Sequence, residues 1–160
     1  MHDRLDCGRR LRIFNVIDDH SKQCLLALVD TSISGHRVAR ELGRLVDLQG
    51  KPKCIVADNG TEFTSMAMFD WSKRSGVDIN FIRPGKPNEN AFVESFNGRM
   101  RDECLNESVF STLREARQII EDWRNHYNSE RPHSALGWAT PDECAKSYWG
   151  LPPNRMDKAA

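Results

Sequence analysis

Hydrophobic positions in the first thirty residues fall into short runs separated by turn formers. Residues 12–18 (RIFNVID) and 23–30 (QCLLALVD) are apolar and partly β-branched. The turn-like Asp19-His20-Ser21-Lys22 between them predicts an antiparallel hairpin. Residues 1–5 read as the end of an earlier strand that turns through Asp6-Cys7-Gly8. The period then changes. Ser34 suits an N-cap, and Val38, Leu42, Leu45 and Val46 follow at helical spacing until Gly50 and Pro52 close the segment. A strand at 53–57, an amphipathic helix at 64–75 carrying Met66, Phe69 and Trp71, and a strand at 77–82 come next, with Gly76 ending the helix. After the loop 83–88 (RPGKPN), helices are predicted over 89–105 and 112–128. The second has Leu113, Ala116, Ile119, Ile120, Trp123 and Tyr127 on one stripe, and Thr140-Pro141 opens a short last helix. Three strands followed by alternating units predict an α/β fold, a mixed sheet with helices packed on it. No internal repeat or low-complexity segment interrupts it.

One strand ends oddly. The apolar run Cys54-Ile55-Val56-Ala57 leads straight into Asp58-Asn59-Gly60. A strand followed by an ordinary turn accounts for those residue types. The carboxyl end of a parallel strand is also where α/β sheets gather their binding groups. The helix at 89–105 holds a second carboxylate. At about 100° per residue, Phe92, Val93, Phe96, Met100 and Cys104 share one stripe. Glu94 falls opposite, with Asn90, Asn97 and Arg101. A solvated face would look similar, but Asn88, Asn90, Asn97 and Gly98 are poor helix formers crowded around one acid. Two hard carboxylates, one on a strand end and one on a helix, are what a Mg²⁺ site needs. Two such ions could activate a nucleophilic oxygen and stabilise the leaving one in phosphoryl transfer. That calls for a third acid, which the pattern alone does not supply.

Composition narrows the field. With 160 residues, 39% hydrophobic and 29% charged, the chain is long enough for one domain with a real core. No apolar stretch has the length of a membrane span and the start lacks a signal-peptide core, which predicts a cytoplasmic protein with no membrane partner. The five cysteines form no Cys-x-x-Cys pair and read as reduced core thiols rather than a disulfide framework or zinc site. With 23 basic and 23 acidic side chains, bulk charge does not hold nucleic acid. A local basic surface could, drawn from Arg9, Arg10, Arg12 and the arginines at 99, 101, 114, 117, 124 and 131.

The segments VADNGTEFTS, FIRPGKPNENAFVESFNGRMRDECLN and DWRNHYNSERPHSALGWATP together resemble the catalytic core of bacterial insertion-sequence transposases of the OrfB type. These belong to the DDE transposase and retroviral integrase superfamily. That family pairs an Asp in a D-N-G-x-E-F strand end with a Glu in an N-x-x-x-E-S-F-N helix, 35 residues apart. The same number lies between Asp58 and Glu94. The resemblance implies an RNase H-like α/β fold, with Asp58 and Glu94 as the second and third acids of the catalytic triad and as ligands of Mg²⁺ or Mn²⁺ at a two-metal site. It implies DNA cleavage and strand transfer, with transposon ends and target DNA as partners, a homo-oligomer, and an upstream DNA-binding domain or companion protein. Lys86, Asn88 and Asn90 match the mobile active-site loop and, with Arg101, are candidate DNA contacts. Residues 1–135 would form the core and 136–160 a tail with a short helix.

The first acid is the departure. The family carries it on the first strand, in a register that falls about two residues before Met1, so the strand reads as clipped and catalysis as impaired. Asp6 in Leu5-Asp6-Cys7 and Asp3 are the substitutes within the chain, and Asp6 reads as a turn residue. Asp18 and Asp19 resemble a structural strand-end pair. Tyr127-Asn128 with Arg131-Pro132-His133 resembles the family's tail signature, read here as docking the tail. Two other classes fit the same residues: an RNase H-like nuclease of another kind, and an inactive DNA-binding or dimerisation module.

Overall fold

A computed structural model describes residues 1–83 and 91–149. Strands β1 (His2–Arg4), β2 (Arg10–Ile17) and β3 (Cys24–Asp30) form an antiparallel meander in that order. Both predicted turns are closed by local bonds. In the first, Leu5 N donates to Arg9 O and Gly8 N to Leu5 O, each at 2.8 Å, with Gly8 at φ +81°. In the second, the Asp18 carboxylate accepts from Ser21 N at 2.9 Å and Ser21 Oγ at 2.5 Å, a structural use of that acid.

Helix α1 (Gly35–Gln49) leads to β4 (Cys54–Ala57), and α2 (Met66–Ser75) leads to β5 (Asp78–Phe81), which pairs with β4 in parallel. The single mixed sheet expected from the pattern is realised as two ladders, and among the described residues none of their strands pair across. Ser34 caps α1 as predicted, its hydroxyl accepting from Arg37 N at 3.3 Å. A Cβ at Gly35 would lie 2.0 Å from Ser65 Oγ and 2.8 Å from Glu62 O. Glycine there lets the start of α1 press on the turn that follows β4.

Helix α3 (Ala91–Met100) continues through a π-turn (Arg101–Leu105), followed by α4 (Leu113–Glu130) and α5 (Pro141–Trp149). Alternation along β2 separates two cores. Leu11 and Ile13 face a cluster with Phe96, Met100, Phe110 and Ile120 from the helical side, while Phe14 and Val16 pack with Val38, Leu42, Met68 and Trp71 of α1 and α2. The sheet is thus a central layer between α1–α2 and α3–α4, as strands buried on both faces require.

Three expectations change. On α2 the buried residues are Ala67, Met68 and Trp71, whereas Met66 and Phe69 are exposed. Phe92 lies outside the core, covered by the Lys22 ammonium at 3.1 Å from its ring centroid. Among the five free thiols, Cys24 and Cys104 are buried but Cys7 and Cys54 are exposed. Burial pushes Cys24 up to about 12 and Cys104 up to about 11, so neither is a nucleophile at neutral pH.

The tail signature docks α4. Asn128 Oδ1 accepts from Cys24 N at 2.8 Å and its Nδ2 donates to Cys24 O at 3.0 Å, while Arg124 Nη1 reaches the same carbonyl at 2.7 Å. Arg124 is buried, Arg117 pairs with Asp30 at 2.9 Å and Arg131 with Glu103, so these arginines hold the fold rather than a free basic surface. His133 packs its ring edge-on to Tyr127 with centroids 5.0 Å apart, and its Nε2 is buried without a partner among the described residues. Burial, then the Arg99 and Arg131 charges, lowers its pKa below the ordinary 6.5. The unfolded chain therefore takes up the proton first, and stability present above pH 6.5 should fall as the pH drops through and below it. A thermal melt series from pH 7.5 to 5 should show this loss, and His133→Phe should remove its share of the slope.

Candidate active site

Asp58 directly follows the buried Ala57 at the carboxyl end of β4, and its side chain is exposed. The turn that displays it uses nearly every letter of its motif. Gly60 N donates to Asp58 Oδ1 at 3.1 Å, and Asn59 Nδ2 donates to Ile82 O at 3.1 Å, tying the turn to the end of β5. Gly60 O accepts from Phe63 N and Thr64 N, and the Phe63 ring anchors against Phe14 of β2 with centroids 5.7 Å apart. A Cβ at Gly60 would sit 3.0 Å from Asp58 Oδ1 and 3.2 Å from Glu62 Oε2. Two carboxylates therefore flank this glycine.

The beginning of β1 is held on β2. The Met1 ammonium donates to Ile13 O at 2.9 Å; burial lowers its pKa against the opposing pull of Asp58 and Glu62. Beside it, Asn15 Nδ2 lies 3.5 Å from Met1 Sδ and donates to Asn97 Oδ1 at 2.8 Å. Asn97 is three residues beyond Glu94, on the same side of α3. Contacts thus run from Met1 through Asn15 to the helical turn after Glu94. Glu94 itself is exposed, and among the described residues it has no hydrogen-bond or ion-pair partner. Nothing in the fold's stability consumes it.

The other candidates separate. Arg101 Nη2 donates to His2 O at 2.6 Å and so braces β1. Asp6 is exposed in the β1–β2 turn, at the opposite end of β1 from Met1, and Asp3 Oδ1 accepts from Arg4 N at 2.8 Å. Lys86, Asn88 and Asn90 lie outside the described residues. Among the described residues no three His, Cys, Asp or Glu side chains come together closely enough to hold a metal ion. Asp58 and Glu94 nonetheless offer the donors a hard divalent cation takes, exposed carboxylate oxygens carried by two rigid elements. Two residues at this place were not singled out in the sequence. Glu62 belongs to the Asp58-Asn59-Gly60-Thr61-Glu62-Phe63 strand end, and Asn15 is the polar interruption in the inward positions 11, 13, 15 and 17 of β2.

The profile of the family described as "Integrase core domain" matches residues 1–87, and a second profile with the same description matches 75–141. The chain belongs to the integrase core domain family. Relatives of this integrase core include an insertion element IS407 uncharacterized 31.7 kDa protein of Burkholderia multivorans, 47% identical over 91% of this chain and 53% of its own length. An insertion element IS476 uncharacterized 39.2 kDa protein of Xanthomonas euvesicatoria is 44% identical over 91% of this chain and 42% of its own. The chain spans about half the length of these curated relatives. Its fold is RNase H-like, shared with retroviral integrases. The HTLV-2 integrase catalytic core domain, solved in complex with magnesium, superposes with a TM-score of 0.69 at 16% identity, over 90% of each chain. A chain of a simian T-cell lymphotropic virus intasome superposes at 0.79 and 14% identity, over all of this chain and 56% of its own. No helix among the described residues is long and apolar enough to cross a membrane.

Proposed function

We propose that this integrase core serves DNA transposition, cleaving a phosphodiester and joining the freed 3′ end to target DNA. The observation that supports the reading is an exposed Asp58 at the end of β4 and an exposed, unpartnered Glu94 on α3, whose following turn is bonded to β2 through Asn97 and Asn15 among the described residues. A bound Mg²⁺ or Mn²⁺ would activate the attacking oxygen and stabilise the leaving one. Asp58 and Glu94 would hold it. Water, or a DNA 3′-hydroxyl, would attack phosphorus and displace the opposite oxygen as a DNA 3′-hydroxyl, with no covalent protein intermediate. The Asn59-Gly60 turn and the Phe63 anchor would keep the Asp58 carboxylate on station. Partners would be transposon ends and target DNA in the cytoplasm, bound by a homo-oligomer with help from DNA-binding segments outside this core. Lys86, Asn88, Asn90 and Arg101 are proposed DNA contacts.

The third acid would come from the line of β1. His2 pairs with Arg12, and Met1 exchanges bonds with Ile13, so a residue two places before Met1 in that register would stand opposite Asn15. A catalytically silent DNA-binding or dimerisation module is the rival, supported by the absence of a three-acid group among the described residues. Nicking of supercoiled DNA in Mn²⁺ distinguishes them. The expected result is slow or no nicking by this chain and clear nicking by a form extended upstream by one strand, abolished by Asp58→Asn. Silence of the extended form would leave the binding module. Nicking by this chain alone, lost in Asp58→Asn, would place the third ligand within it, with Asp6 the first residue to test.

A further inference from the structure

Asn15 breaks the logic of its strand. Leu11, Ile13 and Ile17 of β2 turn toward the core under α3 and α4, and an amide occupies the place in that row that is bonded to the turn after Glu94. Only one end of the amide is spent. Nδ2 donates to Asn97 Oδ1 at 2.8 Å and touches the sulfurs of Met1 at 3.5 Å and Met100 at 3.7 Å, whereas Oδ1 is buried with no partner among the described residues. An apolar residue would suit this row better, because a buried unmatched acceptor costs free energy that a methyl group does not. The amide's one good bond reaches the turn of α3 that follows Glu94. Its backbone belongs to the strand that the Met1 ammonium joins through Ile13.

We propose that Asn15 is a positioning residue, which fixes the Glu94 turn of α3 relative to Asp58 through Asn97. The inference rests on the proposed metal-dependent function and deepens it. Without this bond, α3 would still pack through Phe96 and Met100, but the Glu94 carboxylate would lose its lateral stop on the sheet. Preorganised ligands bind a cation more tightly than ligands that must be gathered, and outer-shell partners of this kind typically carry 10- to 100-fold in metal affinity.

The test is Mn²⁺ binding to the intact chain, read from the free-ion signal in electron paramagnetic resonance, alongside thermal melts. Asn15→Leu, close to isosteric, should melt at or above the unaltered chain yet bind Mn²⁺ about tenfold more weakly. Asn97→Leu, on the helix side, should weaken binding similarly and serves if the β2 variant fails to fold. Asn97→Asp keeps an acceptor for Asn15 Nδ2 and should retain the affinity. Asp58→Asn should abolish the binding, which tests the underlying reading separately. Unchanged affinity in both leucine variants, against binding that Asp58→Asn removes, would overturn the positioning role alone. Absence of any Asp58-dependent binding in the unaltered chain and in the upstream-extended form would overturn both.

Discussion

Glu94→Gln should lower Mn²⁺-dependent DNA nicking by the upstream-extended form on the order of 10²–10³-fold, the size of effect seen when one group stabilising transition-state charge is lost. The same substitution should leave the melting temperature nearly unchanged. Glu94 is exposed and, among the described residues, makes no hydrogen bond or ion pair whose loss could weaken the fold. Gln has similar helix propensity and size, and surface changes away from specific contacts stay within about 0.5 kcal/mol. The two readouts thus separate the roles a helix-borne glutamate can have. A solvated-face residue would move neither, and a structural one would move the melt first. Nicking rates on supercoiled plasmid and calorimetry on the same preparations decide it. Retained nicking would remove Glu94 from the site and leave Asp58 without its partner.

Glu94 was legible because its evidence is local. A carboxylate opposite an apolar stripe, among asparagines that a helix does not favour, needs only a helical wheel, and its spacing from Asp58 is written in the chain. The hairpins and the cap at Ser34 were legible for the same reason, since alternation and capping act within a few residues. What the sequence left open depends on partners far along the chain. Arg124 looks like any helix-surface arginine until the Cys24 carbonyl, a hundred residues away, is placed above it. Helix α2 carries apolar residues around more than one face, and hydrophobicity alone does not say that Met68 and Trp71 meet α1 while Met66 and Phe69 meet water. Asn15 was visible only as a break in a period. Its meaning appears once Asn97 lies 2.8 Å away, 82 residues on.

The largest stability loss should come from Phe96→Ala, about 3–5 kcal/mol in a denaturant melt. Phe96 and Phe92 lie on the same predicted stripe of α3, yet the structure treats them oppositely. The Phe96 ring is 2% exposed, set edge-on between Trp123 and Tyr127 with centroids 5.5 and 4.9 Å away. Removing it leaves a cavity between the sheet and α4 that those two stacked rings cannot close without giving up their own packing. Phe92 is 52% exposed and its clearest contact is the Lys22 ammonium, so Phe92→Ala should cost about 1 kcal/mol or less. Measuring both variants decides whether α3 is held from its middle or its start. If Phe96 carries the load, Glu94 stands on the turn between a fixed core and the start of α3, where a carboxylate can be held firmly on one side and stay exposed on the other. Equal losses in the two variants would mean that the start of α3 is anchored as well, and that Asn15 and Asn97 are not its main lateral stop.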